Sequence, residues 1–103
     1  MTKHEFVARL AHDPIAVEPV ANLTYYRVSL HGARHAKNAV LIGLAPVAGT
    51  LLAEDYGQVY ARVNGKKMKL SPRDVQVIVS RLQQIFTRGG DPKRWPGAAR
   101  ERD

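Results

Sequence analysis

The chain contains no cysteine, which excludes disulfides, thiolate nucleophiles and cysteine-based zinc sites and leaves its stability to packing and hydrogen bonding. It also lacks a long hydrophobic run. The longest, Ala39 to Ala48, carries Gly43 and Pro46 and is about half of what a membrane-spanning helix needs. The N-terminal segment Thr2 to His12 includes Lys3, His4, Glu5 and Arg9, so it has neither the apolar centre nor the small-residue cleavage site of a signal peptide. Membrane insertion and export are disfavoured, and a cytoplasmic location is the expectation.

Catalytic patterns are missing too. There is no Gly-x-Ser-x-Gly nucleophile elbow. Gly65-Lys66-Lys67 matches the end of a phosphate-binding loop only in part, because Tyr60 stands where the first glycine belongs and Lys67 where a magnesium-ligating hydroxyl is required. His31 and His35 have the spacing of two ligands on one helix face, yet no carboxylate or cysteine lies nearby in the sequence to complete a metal shell. Glu54 and Asp55 are adjacent, and neighbours on a strand point to opposite faces. No enzyme, cofactor or metal is expected.

What the chain does have is positive charge. Sixteen Lys and Arg against nine Asp and Glu give a net charge of +7 over 103 residues, a length that suits one hydrophobic core. The excess is localised. Tyr26 to Leu44 holds Arg27, Arg34 and Lys37 without an acid, and Tyr56 to Arg73 holds Arg62, Lys66, Lys67, Lys69 and Arg73, again without one. Such a surface concentrates anionic partners by long-range attraction, and nucleic acid is the commonest intracellular one.

Thr2 followed by Glu5 is a capping-box pattern with Phe6, Val7 and Leu10 at helical spacing behind it, and Asp13-Pro14 stops that helix. Ile15 to Ala21, preceded by Pro14 and containing Pro19, reads as an extended connection. Leu23 to Leu30 reads as a strand with Tyr26, Val28 and Leu30 on one face and Tyr25, Arg27 and Ser29 on the other. His31 to Leu44 suits either helix or strand, and a loop or helical turn at Gly32 to Lys37 followed by a strand at Ala39 to Leu44 is favoured; a helix throughout would instead allow a winged-helix arrangement. Leu51 and Leu52 start a further short element ending at Glu54-Asp55.

Asn64-Gly65 between two alternating runs is the favoured sequence for a two-residue type I′ hairpin turn, and it fixes a register. Val63 faces Lys66, Arg62 faces Lys67, Ala61 faces Met68, Tyr60 faces Lys69 and Val59 faces Leu70. Val59, Ala61, Val63, Met68 and Leu70 then form an apolar side, and Gln58, Tyr60, Arg62, Lys67 and Lys69 the other. Ser71-Pro72-Arg73-Asp74 opens a second helix, with Val75, Ile78, Val79, Leu82, Ile85 and Phe86 as its apolar stripe and Gly89-Gly90 as its stop.

The expected fold is α+β: a small antiparallel sheet including a 57–70 β-hairpin, packed by an N-terminal and a C-terminal helix. Residues 1–90 would form one compact domain and 91–103 a flexible basic tail. The expected function is nucleic-acid binding, to DNA or RNA, through a cationic hairpin face, with Tyr60, Arg62, Lys66, Lys67, Lys69, Arg34, Lys37 and Arg73 as candidates. Arg81 and Arg88 lie seven residues apart on the second helix and could track a phosphate backbone. The alternative is a small adaptor or inhibitor that regulates a larger complex by occlusion, with Tyr25, Tyr56 and Trp95 as protein-interaction anchors. The apolar stripe of the second helix is compatible with a homodimer or with burial inside one monomer.

Overall fold

A computed structural model describes residues 1–20, 25–32, 37–48, 50–54 and 58–87. Helix α1 (Lys3–His12) begins with the capping box: Thr2 N–H donates to Glu5 Oε1 at 2.8 Å, and Glu5 N–H to Thr2 Oγ1 at 3.0 Å. These bonds satisfy two of the donors that a helix start leaves without intrahelical partners. Three side chains recurring at helical spacing, Phe6, Val7 and Leu10, are its buried face.

Strands β1 (Ile15–Pro19), β2 (Tyr25–Leu30), β3 (Ala39–Val47), β4 (Thr50–Ala53), β5 (Tyr60–Val63) and β6 (Lys66–Lys69) make one antiparallel sheet ordered β1-β2-β3-β5-β6, with β4 paired to β3 off that path. The long strand β3 organises the sheet. It pairs with β2 through Val40 to Gly43, with β5 through Ala39 to Leu41, and with β4 through Leu44 to Val47. A strand over 39–47 removes the winged-helix arrangement.

The segment from Ile15 is a strand and not a bare connection. Its alternation places Ile15 and Val17 against the core, and its one proline, Pro19, is tolerated because the strand is an edge. Val20 N–H donates to Tyr25 O at 2.9 Å, so ladder alternation aims the missing N–H of Pro19 away from β2. Pro46 follows the same logic within β3. The pair Val47–Thr50 flanks the two-residue connection, which makes Pro46–Leu51 the non-hydrogen-bonded pair and directs the proline nitrogen away from β4. The amide of Leu51, pointing off the ladder, donates instead to Gln83 Oε1 at 2.6 Å.

The hairpin β5–β6 has the register the sequence dictates: Val63 opposite Lys66, Arg62 opposite Lys67, Ala61 opposite Met68 and Tyr60 opposite Lys69. Leu70 N–H continues it by donating to Val59 O at 2.9 Å. Asn64 (φ 53°) and Gly65 (φ 84°) carry the positive φ values of the turn. Met68 departs from expectation: all four residues of β6 are exposed, so its side chain lies at the rim of the core and not within it.

Helix α2 (Pro72–Thr87) starts where Asp74 N–H donates to Ser71 Oγ at 3.1 Å. Val75, Ile78, Val79 and Leu82 join Phe6, Leu10, Val28, Val40, Ile42 and Val63 in a single buried cluster, with Ile85 and Phe86 only partly buried at the far end. The apolar stripe is thus buried largely within the monomer. Both helices cover one face of the sheet, and Arg81 ties them together by donating from Nη1 to Leu10 O at 3.0 Å. That bond satisfies a carbonyl at the end of α1, so Arg81 closes a helix terminus.

Candidate functional site

Because residues alternate along each strand, burying Val28, Val40, Ile42, Ala61 and Val63 beneath the helices turns the intervening residues to the other side of the sheet. Chaining the registers gives one row across five strands: Glu18 on β1, Arg27 on β2, Leu41 on β3, Tyr60 on β5 and Lys69 on β6. A second row holds Ala39, Arg62 and Lys67, and a third pairs Tyr25 with Gly43. Leu41 is 50% exposed and Tyr60 38% exposed. Arg27, Arg62, Lys67 and Lys69 are all exposed around them.

These side chains outline a shallow groove of about 450 Å³ lined by Tyr25, Arg27, Leu41, Tyr60, Arg62 and Lys67. The Lys67 ammonium sits 4.7 Å from the centre of the Tyr60 ring, within the range in which a cation is attracted to an aromatic face. Arg62 reaches back to the hairpin tip, where Nη1 donates to Gly65 O at 3.4 Å. Alternation from the hydrogen-bonded Val59–Leu70 pair makes Arg62–Lys67 and Tyr60–Lys69 non-hydrogen-bonded pairs, the kind whose side chains come closer. Like charges opposite one another in such a pair repel. Among the described residues the one ion pair joins Arg9 and Asp13, at 2.8 Å, so the cations of this face have no carboxylate bound to them there.

Tyr25 shares the face and lies down on it. A Cβ at Gly43 would stand 3.1 Å from its Cε2 and Cζ atoms; the ring covers the bare backbone of β3 and is half-buried. It borders the groove and is less prominent than Tyr60. Lys37 is brought beside the hairpin: its carbonyl accepts from Gly65 N–H at 2.9 Å, while Asn38 Oδ1 accepts from Asn64 N–H at 2.9 Å. Asn64 Nδ2 also donates to Met1 O at 2.6 Å, so the turn is held from two sides.

Two sequence candidates sit elsewhere. Lys66 faces Val63 and so belongs to the helix-covered side, exposed at its margin. Arg73 is in the first turn of α2 and lines a groove on the helical side with His12, Gln76 and Arg81. Arg34, Tyr56, Arg88 and Trp95 lie outside the described residues, as do His35, Gly89, Gly90 and the segment 91–103. Two residues of the open face, Arg27 and Leu41, were not singled out from the sequence. The alternation of β2 puts Arg27 beside Tyr25, but only the pairing of β3 with both β2 and β5 reveals that it shares a row with Tyr60.

Among the described residues no group of three His, Asp or Glu is arranged to hold a metal ion, and no helix is long and apolar enough to cross a membrane. Fold and face together define a small α+β domain with helices on one side of an antiparallel sheet and a cationic face on the other that no element among the described residues covers. No protein family, curated protein or solved structure matches the chain.

Proposed function

We propose that this protein binds nucleic acid through the uncovered face of its sheet. The observation that carries the reading is the gathering of Arg27, Arg62, Lys67 and Lys69, drawn from three strands, around exposed Leu41 and Tyr60. Arg and Lys neutralise phosphates, and each phosphate neutralised releases condensed counterions. An anion lying over the Arg62–Lys67 pair would relieve the repulsion that the empty ladder holds. Lys37, beside the hairpin tip, extends the same positive field.

Fluorescence anisotropy with labelled DNA and RNA at two salt concentrations tests this, alongside the triple variant Arg62→Glu, Lys67→Glu, Lys69→Glu. Binding that weakens with salt and disappears in the variant supports the reading. Absence of binding at low salt overturns it.

A second reading, docking to another protein through an apolar contact, draws on Val47 and Leu52. Each is 50% exposed on the β3–β4 hairpin, and the register sets them on one face. That reading expects Val47→Ser with Leu52→Ser to abolish complex formation while leaving the cationic face intact.

A further inference from the structure

We infer that the occupant of the open face is a single strand of nucleic acid, crossing the sheet strands with a base stacked on Tyr60. This rests on the nucleic-acid reading above and goes beyond it by naming the form of the ligand.

The row from Lys69 through Tyr60 and Leu41 to Arg27 spans three inter-strand spacings, about 14 Å. Its ends are cationic and its centre is not. A polyanion that met this row with phosphates alone would press charged oxygens against the half-exposed Leu41 side chain and the Tyr60 ring, losing water without gaining a partner. A duplex keeps the flat faces of its bases stacked inside and shows only their edges in its grooves, so it has no ring face to lay on Tyr60. A single strand offers both chemistries at once: unstacked bases for the apolar centre and phosphates for the cationic ends.

The position of Lys67 fits the same occupant. Its ammonium caps one side of the Tyr60 ring at 4.7 Å, so in the free protein the ring is already paired with a group that a base can replace. A base stacking on that side takes the place of the ammonium, and the lysine stem is long enough to carry its charge to the phosphate of the same strand. Arg62, directly opposite Lys67, stands on the other flank of that phosphate. Glu18 closes the row beyond Arg27 and sets a limit to the cationic track on the β1 side.

The test compares a mixed-sequence single strand, as DNA and as RNA, with a duplex of the same length, using the wild-type chain and the variants Tyr60→Ala and Tyr60→Phe. Tyr60 is on the surface, and circular dichroism checks that each variant is folded. The expected result is tighter binding of the single strand than of the duplex. Tyr60→Ala then loses affinity on the order of tenfold with an unchanged dependence on salt, since it removes no phosphate contact, and Tyr60→Phe retains affinity because stacking needs the ring and not the hydroxyl. Duplex binding as tight as single-strand binding, with Tyr60→Ala neutral and the salt dependence intact, overturns the stacked single strand and leaves nucleic-acid binding standing. No binding of any form at low salt overturns both.

Discussion

Replacing Lys67 with glutamate separates the two consequences that a cationic ladder pair has for this protein. Arg62 and Lys67 form a non-hydrogen-bonded pair on β5 and β6, with Cα atoms about 4.5 Å apart. Lys67→Glu turns a like-charge pair into an opposite-charge one, a change worth about 0.2–1 kcal/mol in favour of the fold. It also removes the cation from above Tyr60, which at an exposed site costs about 0.5 kcal/mol. The fold should therefore be as stable as wild type or slightly more so. Binding should move the other way. Four cations on the open face, Arg27, Arg62, Lys67 and Lys69, each neutralising one phosphate of a single strand, give a slope of log K against log salt of about −2.8, so a fourfold rise in salt weakens binding about 50-fold. With Lys67 gone the slope falls to about −2 and the loss to about 20-fold. Thermal denaturation gives the first quantity and anisotropy across a salt series the second. A melting temperature several degrees lower would show that the Arg62–Lys67 pair carries no repulsion, and an unchanged affinity and slope would show that Lys67 meets no phosphate.

Other perturbations test the scaffold. Ala48, which opens the two-residue connection between Val47 and Thr50, has φ 50°, a left-handed conformation that costs a non-glycine residue about 1 kcal/mol. Ala48→Gly removes that strain and gives back part of it as unfolded-state freedom, so the melting temperature should rise by roughly 2–4 °C; a fall would mean the connection does not need a positive φ. Leu82, fully buried where α2 meets the sheet, should cost about 3 kcal/mol when cut to alanine, lowering the melting temperature on the order of 15 °C, whereas a change of only a few degrees would place it outside the core. Arg81→Met, which deletes the bond to Leu10 O, should cost about 1.5 kcal/mol and leave nucleic-acid affinity unchanged; a reduced salt slope would instead give Arg81 a phosphate contact. The Glu5 carboxyl is held below its ordinary value of 4.5 by the hydrogen bonds it shares with Thr2. Its folded value is the lower one, so the cap contributes fully above the unfolded value and is lost as pH falls through the folded value. NMR shifts of the Thr2 and Glu5 amides should move in that acidic window, and an identical movement in Glu5→Gln would assign it to another group.

How much of this was legible in the sequence depends on whether the signal was local. Asn64-Gly65 dictates a turn of two residues, and a turn of two residues dictates the register, so the pairing of Arg62 with Lys67 and of Tyr60 with Lys69 is readable without coordinates. The same register already sets Lys66 beside Val63, which is why it falls on the helix-covered side. Both helix starts are equally local, since Thr2 with Glu5 and Ser71 with Asp74 need only their own turn. Strand β1 was obscured because Pro14 and Pro19 read as interruptions. For Pro19, the proline inside the strand, the effect depends on whether a neighbour needs the missing N–H, and an edge strand has no neighbour on that side. The order β1-β2-β3-β5-β6 was out of reach for a further reason. Pairing β3 with β5 skips β4, and no short-range pattern records which of two later strands takes that half of β3. Arg27 and Leu41 enter the site only through that pairing.

Edge protection alone would account for part of the cationic face. Lysines along an exposed strand discourage pairing with another chain, and β6 is such an edge, with Lys66, Lys67 and Lys69 along it. That explanation stops at β6. Arg62 is on β5, which has neighbours on both sides, and Arg27 is on β2, between β1 and β3; neither guards an edge. Leu41 is on β3, where half of its surface meets water, a cost that edge protection does not require and that a soluble sheet face normally avoids by placing a polar residue there. The pattern that needs explaining is therefore an apolar and aromatic centre with cations on the interior strands β2 and β5 as well as on the β6 edge, and a ligand with flat faces and a charged backbone has the complementary pattern. Neutralising Lys67 and Lys69 together with glutamine should separate the two roles. If the lysines serve only the edge, the chain should self-associate and its affinity for a single strand should stay the same. If they serve binding, affinity should fall while Arg27 and Arg62 keep a residual, shallower salt dependence.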